Sequence, residues 1–81
     1  MLLSVSEDDW TQVEASTDLQ ISNEGPQRMR VAQQATKPTD PLAGRLLSTY
    51  AENYAVVFVG AGEPVWLRGF GGYTSAGVEV V

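Results

Sequence analysis

Tyr54-Ala55-Val56-Val57-Phe58-Val59-Gly60, then Ala61-Gly62-Glu63-Pro64, then Val65-Trp66-Leu67-Arg68-Gly69, is the stretch whose reading decides the fold. Seven nearly continuous apolar residues, three of them valine, predict a strand buried on both faces. A buried helical segment is the competing reading, because periodicity alone does not separate the two in so short a run. Valine density and the bounding glycines favour the strand. Gly60 and Gly62 let the chain reverse, and Pro64 ends ladder donation where the turn exits. Val65, Trp66 and Leu67 then predict a returning strand, so the stretch reads as a β-hairpin with a loop of about five residues.

Working outward, Asp18-Leu19-Gln20-Ile21-Ser22 alternates polar and apolar, as a strand with one face on a core does. Asn23-Glu24-Gly25-Pro26 is turn chemistry, and alternation resumes from Gln27 to Thr36. Met29, Val31, Gln33 and Ala35 share one side; Arg28, Arg30, Ala32 and Gln34 share the other. These runs predict a second hairpin with arginine and glutamine on its outer face. Such arginines serve either to discourage edge pairing or to meet acidic groups on a neighbouring subunit.

Ser4 and Glu7 match a helix capping box, S-x-x-E, but Thr11, Val13, Ser16 and Thr17 favour an extended segment from about Trp10 to Ala15. Residues 1–9, ending in Glu7-Asp8-Asp9, read as an extended N-terminal arm or a solvated acidic lead into that strand. A cation loop would need the D-x-[DN]-x-[DN]-G spacing, which does not follow. Lys37-Pro38-Thr39-Asp40-Pro41 is a loop. Leu42, Leu46, Leu47 and Tyr50 fit a helical face, whereas Gly44 opposes one, so 42–53 reads as a short helix or an irregular crossover. Gly69-Phe70-Gly71-Gly72-Tyr73-Thr74-Ser75-Ala76-Gly77 reads as a mobile loop or bulged strand end, and Gly77–Val81 as a last strand. The expectation is a single all-β domain over 1–81, a small antiparallel β-sandwich or jelly-roll-like barrel of five to seven short strands.

Composition bounds the function. An 81-residue chain buries only about 60% of the surface its unfolded form exposes. It has no cysteine for a disulfide and no histidine for a zinc site. Another protein surface is then the available staple, and an oligomer or assembly subunit is expected. Ten acidic and five basic residues give a net charge of −5, too little clustered positive charge for a nucleic-acid track. No apolar run reaches the roughly 20 residues of a spanning helix, and the first residues lack the basic and apolar regions of a signal peptide. A soluble, cytoplasmically made protein is the expectation.

Serine or cysteine triads are excluded, because both need partners this chain lacks. Paired carboxylates could cleave glycosides only across a cleft, and so small a sandwich offers little room for one. Neither Gly60-Ala61-Gly62 nor Gly69-Phe70-Gly71 continues into a G-x-G-x-x-G phosphate loop: Val65 and Thr74 stand where its third glycine falls. No catalytic, cofactor-binding or metal-binding residue is assigned, and the protein is expected not to be an enzyme. The aromatics raise a different question. Trp66, between Val65 and Leu67, points away from both, so either its strand is buried on two sides or Trp66 lies in a contact surface. Trp10 and Tyr73 raise it too, since tryptophan and tyrosine are enriched at subunit interfaces. The candidate interface residues are Trp10, Arg28, Arg30, Trp66, Arg68, Phe70 and Tyr73.

Asp9-Trp10-Thr11-Gln12-Val13, Asp18-Leu19-Gln20-Ile21-Ser22-Asn23, the Pro38–Pro41 loop, Pro64-Val65-Trp66-Leu67-Arg68-Gly69 and the terminal Gly77-Val78-Glu79-Val80-Val81 follow in an order that resembles the small structural proteins of tailed bacteriophage virions. The resemblance spans most of the chain through loose motifs, none of them catalytic. It implies a virion subunit without enzymatic activity, assembled in the host cytoplasm and working by β-rich packing and self-association. A capsid decoration subunit, trimeric and docked on the major capsid protein or another virion protein, is the leading expectation. A tail or head-fibre component is the alternative within virions. Outside them, a carbohydrate-binding module stacking sugars on Trp66, Phe70 and Tyr73, or a small host-directed inhibitor, remains open.

Overall fold

The computed structural model describes residues 1–53 and 55–81, so Tyr54, the first residue of the stretch quoted above, lies outside the described residues. Eight strands form: β1 (Leu2–Val5), β2 (Thr11–Val13), β3 (Leu19–Asn23), β4 (Arg28–Gln33), β5 (Arg45–Leu47), β6 (Val56–Val59), β7 (Val65–Phe70) and β8 (Thr74–Val80). They make two antiparallel four-stranded sheets, ordered β1-β8-β3-β6 and β2-β7-β4-β5. The all-β antiparallel sandwich expected from the alternation is what forms, with eight strands instead of five to seven. Because side chains alternate across a strand, Leu19, Ile21, Met29, Val31, Val65, Leu67, Ala76 and Val78 meet between the sheets. Ile21, Met29 and Leu67 are wholly buried, and each contributes about 1.5–3 kcal/mol by leaving water.

Neither predicted hairpin exists. Among the described residues β6 pairs only with β3, while β7 pairs with β2 and β4 in the other sheet. β3 and β4 are likewise split between sheets. Of the seven connections, β4–β5 alone joins neighbours within one sheet; the others cross the core. The physical reason is that an apolar strand, a glycine- or proline-containing turn and a second apolar strand look alike whether the chain folds back in plane or arches over the core. Side chains hold the arches here. Gln33 Nε2 donates to the carbonyls of Gly60 and Glu63 at 2.7 and 2.9 Å, and Asn23 ties down the β3–β4 arch through Gln27 O and Gly25 N.

The strand expected to be buried on both faces is also a different one. β6 is a sheet edge whose Val57 is buried while Val56 and Phe58 are exposed. β7 carries the double burial, with Val65, Trp66 and Leu67 all inside. Residues 42–53 contain no α-helix: Arg45–Leu47 pair with β4, and Tyr50–Glu52 make one 3-10 turn. Leu46 and Leu47 are adjacent, so only Leu47 faces the core. The N-terminal stretch is no free arm, since Leu2–Val5 pair along β8. Gly69 and Gly77 lie inside strands. Only Gly71 and Gly72, at φ of 88° and 155°, turn the chain from β7 to β8, in a conformation that suits glycine.

Candidate binding face

Six of the seven residues singled out from the sequence come from β4, β7 or the β1–β2 loop; the ladder register sets Arg28, Arg30, Trp66, Arg68 and Phe70 on the outer face of one sheet, and Trp10 packs against Trp66 there. One row runs Gln12, Trp66, Ala32 across β2, β7 and β4. The next runs Arg68, Arg30, Leu46 across β7, β4 and β5, and the third pairs Phe70 with Arg28. Tyr73, the seventh, stands beyond this sheet in the β7–β8 turn, where its hydroxyl donates to an Asp8 carboxylate oxygen. That bond raises the Tyr73 pKa above its usual value.

The tryptophans are sealed within the chain. Trp10, Ala32 and Trp66 form a second buried cluster on the outside of the sheet, with Ala43 packed against it. Asp9 Oδ1 accepts the Trp10 backbone N–H at 2.8 Å, which fixes the chain where Trp10 enters the cluster, and Trp66 Nε1 donates to Gln34 O at 3.0 Å, so the Trp66 indole N–H is satisfied within the chain. Lys37 bridges to Asp9 at 2.7 Å, closing the loop over the cluster. Its ammonium, through a side-chain hydrogen bond, is the main reason Asp9 titrates below the ordinary carboxylate range. Trp10 and Trp66 therefore build the platform and do not present it.

What the platform presents is positive charge with apolar flanks. Arg30 and Arg68 lie directly opposite one another across the β4–β7 ladder, an arrangement of like charges that destabilises a sheet. Neither has a carboxylate partner: among the described residues the ion pairs are Arg28–Glu52 and Lys37–Asp9. Arg68 Nε donates to the Glu7 carbonyl at 2.9 Å. The Arg30 guanidinium sits 5.4 Å from the Phe70 ring centroid, within cation–π range, yet its buried Nε has no hydrogen-bond partner. Phe70 and Leu46 are each 38% exposed beside these cations. Leu46 was missed by sequence reasoning, because its segment also fitted a helical face.

Arg28 is engaged within the chain. Its guanidinium grips the Glu52 carboxylate, with Nε donating to both oxygens at 3.0 and 2.9 Å. The Arg28 hydrogen bond, helped by the Thr49 N–H, pulls the Glu52 pKa down to about 2. Glu52 in turn raises the Arg28 pKa. The arrangement is suited to binding carboxylates. Among the described residues no group of three or more acidic, histidine or cysteine side chains is placed to hold a metal ion, and no helix is long and apolar enough to cross a membrane. No protein-family model matches the chain, and neither a curated protein nor a solved structure matches it.

Proposed function

We propose that this chain is a non-enzymatic structural subunit of a tailed bacteriophage virion, a decoration or cement protein that binds the assembled head. The observation that carries the docking part of this reading is the opposed Arg30–Arg68 pair. An acidic protein of net charge −5 sets two cations without a direct ion-pair partner between exposed Phe70 and Leu46, which fits a partner surface offering carboxylates around an apolar contact. Electrostatic complementarity of that kind sets register and speeds encounter. The virion assignment rests on the resemblance of the ordered sequence segments. In this setting the major capsid protein, or another virion protein, is the partner, and the chain also associates with itself.

The mechanism is linkage. A subunit that binds the assembled lattice and not its separated parts raises lattice stability by its binding free energy. The test is to strip the protein from particles, add it back, and follow their resistance to heat and salt. Recovery with the native chain, and none with Arg30→Ala/Arg68→Ala, is expected. Particles equally resistant with and without the protein would refute the role, and electron microscopy placing it at a unique vertex would move it to the tail or head fibre. A sugar platform gains no support from this geometry, since Trp66 lies within the Trp10 cluster.

A further inference from the structure

The outer edge of β6 is a different surface, and we infer that it is a pairing edge for β6 of a second copy of this chain. The inference gives a surface to the self-association named above, and it needs neither the virion setting nor the arginine face. Among the described residues β6 hydrogen-bonds to β3 on one side only, so its other side presents N–H and C=O groups that template another strand. Natural edges are blunted by brevity or charge. β2 and β5 are three residues long and β5 begins with Arg45, while β1 runs within two residues into Glu7-Asp8-Asp9. β6, at four residues, has no charged guard: residues 53–62 carry no charge at all.

That neutrality also argues for self-pairing. Copies of net charge −5 repel one another, so they meet most readily where charge is lacking. The strand is self-complementary as well. A two-fold axis through Val57 sets Val57 against Val57, and Val56 of each copy against Phe58 of the other. Opposed residues share a face in an antiparallel ladder, so the exposed Val56 and Phe58, 38% and 67% accessible, would cover each other as two aromatic–β-branched pairs. The product is a continuous eight-stranded sheet with an isologous interface. Arg45 leaves the neighbouring sheet edge unpaired, so only one sheet of each sandwich is joined. A four-residue ladder is short, which puts the dimer among weak, concentration-dependent contacts.

The experiment is sedimentation of the full chain over a wide concentration series, alongside amide hydrogen exchange. A monomer–dimer equilibrium is expected, with the gain in protection at high concentration confined to Val56–Val59. Phe58→Lys, at an exposed position, should keep the far-ultraviolet dichroism and melting temperature while raising the dimer dissociation constant roughly tenfold or more. Val56→Lys gives an independent variant should Phe58→Lys misfold. A monomer at every concentration, a dimer unaffected by both substitutions, protection appearing on β1 or the arginine face, or open-ended fibres in place of a dimer would each overturn the inference.

Discussion

Thr74 Oγ1 donates to Asn23 Oδ1 at 2.8 Å in the buried interior. Asn23 is fully buried at the end of β3, and the same amide also accepts from Gly25 N and donates to Gln27 O at 2.7 Å. One side chain thus fastens the β3–β4 arch to β8. Asn23→Ala leaves several buried polar groups without partners, at a cost of about 3 kcal/mol in urea unfolding. Thr74→Val removes a single bond and should cost about 1 kcal/mol. Equal effects of the two would show that the amide is not the hub.

The same arch sets the fate of Gly25. A Cβ there would fall 2.1 Å from Thr74 Oγ1 and 2.5 Å from Ser75 N, and a backbone atom does not step aside as a flexible side chain does. Gly25→Ala is expected to cost roughly 2 kcal/mol, the scale of overpacking, measured as a lowered urea midpoint with an unchanged m-value.

The tryptophan cluster makes its own prediction. Trp10→Ala empties a buried site lined by Trp66 and Ala32, at a cost of about 3 kcal/mol. It should also shift the remaining Trp66 emission to the red and open it to acrylamide quenching. In the native chain at dilute concentration both indoles should be blue-shifted and protected. Quenchable native tryptophans would return them to the list of contact residues.

How far such detail was legible differs from residue to residue. Met29 and Val31 against Arg28 and Arg30 were readable, because a strand's two-residue period assigns faces without knowing the partner strand. The pairing of strands was not readable, since Gly60–Pro64 and Asn23–Pro26 carry the same turn residues whether they close a hairpin or cross a core. Trp66 was ambiguous for a related reason. Its burial depends on Trp10, supplied from more than fifty residues away, and no local pattern reports that contact. The arginine face emerged only because its members sat on strands whose face assignment was sound; Leu46 escaped because β5 is too short to show a period.

Arg28 and Glu52 define a pH-dependent contact. Glu52 titrates at about 2 in the fold against an ordinary value of 4.5. A depressed carboxylate pKa means that the bond's contribution is fully present above pH 4.5 and fades as pH falls from there toward 2. The pair is exposed, so salt weakens it. The Thr49 amide, which donates to Glu52 Oε1 at 3.3 Å, should shift with a midpoint near pH 2 in NMR titration of the folded chain. Glu52→Gln should abolish the transition, and a Thr49 midpoint at 4.5 would contradict the ion pair.

The opposed arginines separate stability from binding. Arg30→Gln removes one of two facing positive charges and the guanidinium Nε that has no partner, so the fold should be unharmed or gain up to about 1 kcal/mol. The gain should shrink in high salt, because screening already relieves the repulsion in the native chain. Binding to an acidic partner surface should respond in the opposite sense, weakening roughly tenfold with a shallower salt dependence. Arg45→Gln makes a charge-matched control, because Arg45 sits on the β5 edge opposite the inward-facing Val31, outside the Arg30 row. A destabilised Arg30→Gln, or equal binding losses from both variants, would mean that the cation pair serves the sheet and not a partner. Greater stability with weaker docking would mean that the sheet tolerates the repulsion because the partner relieves it.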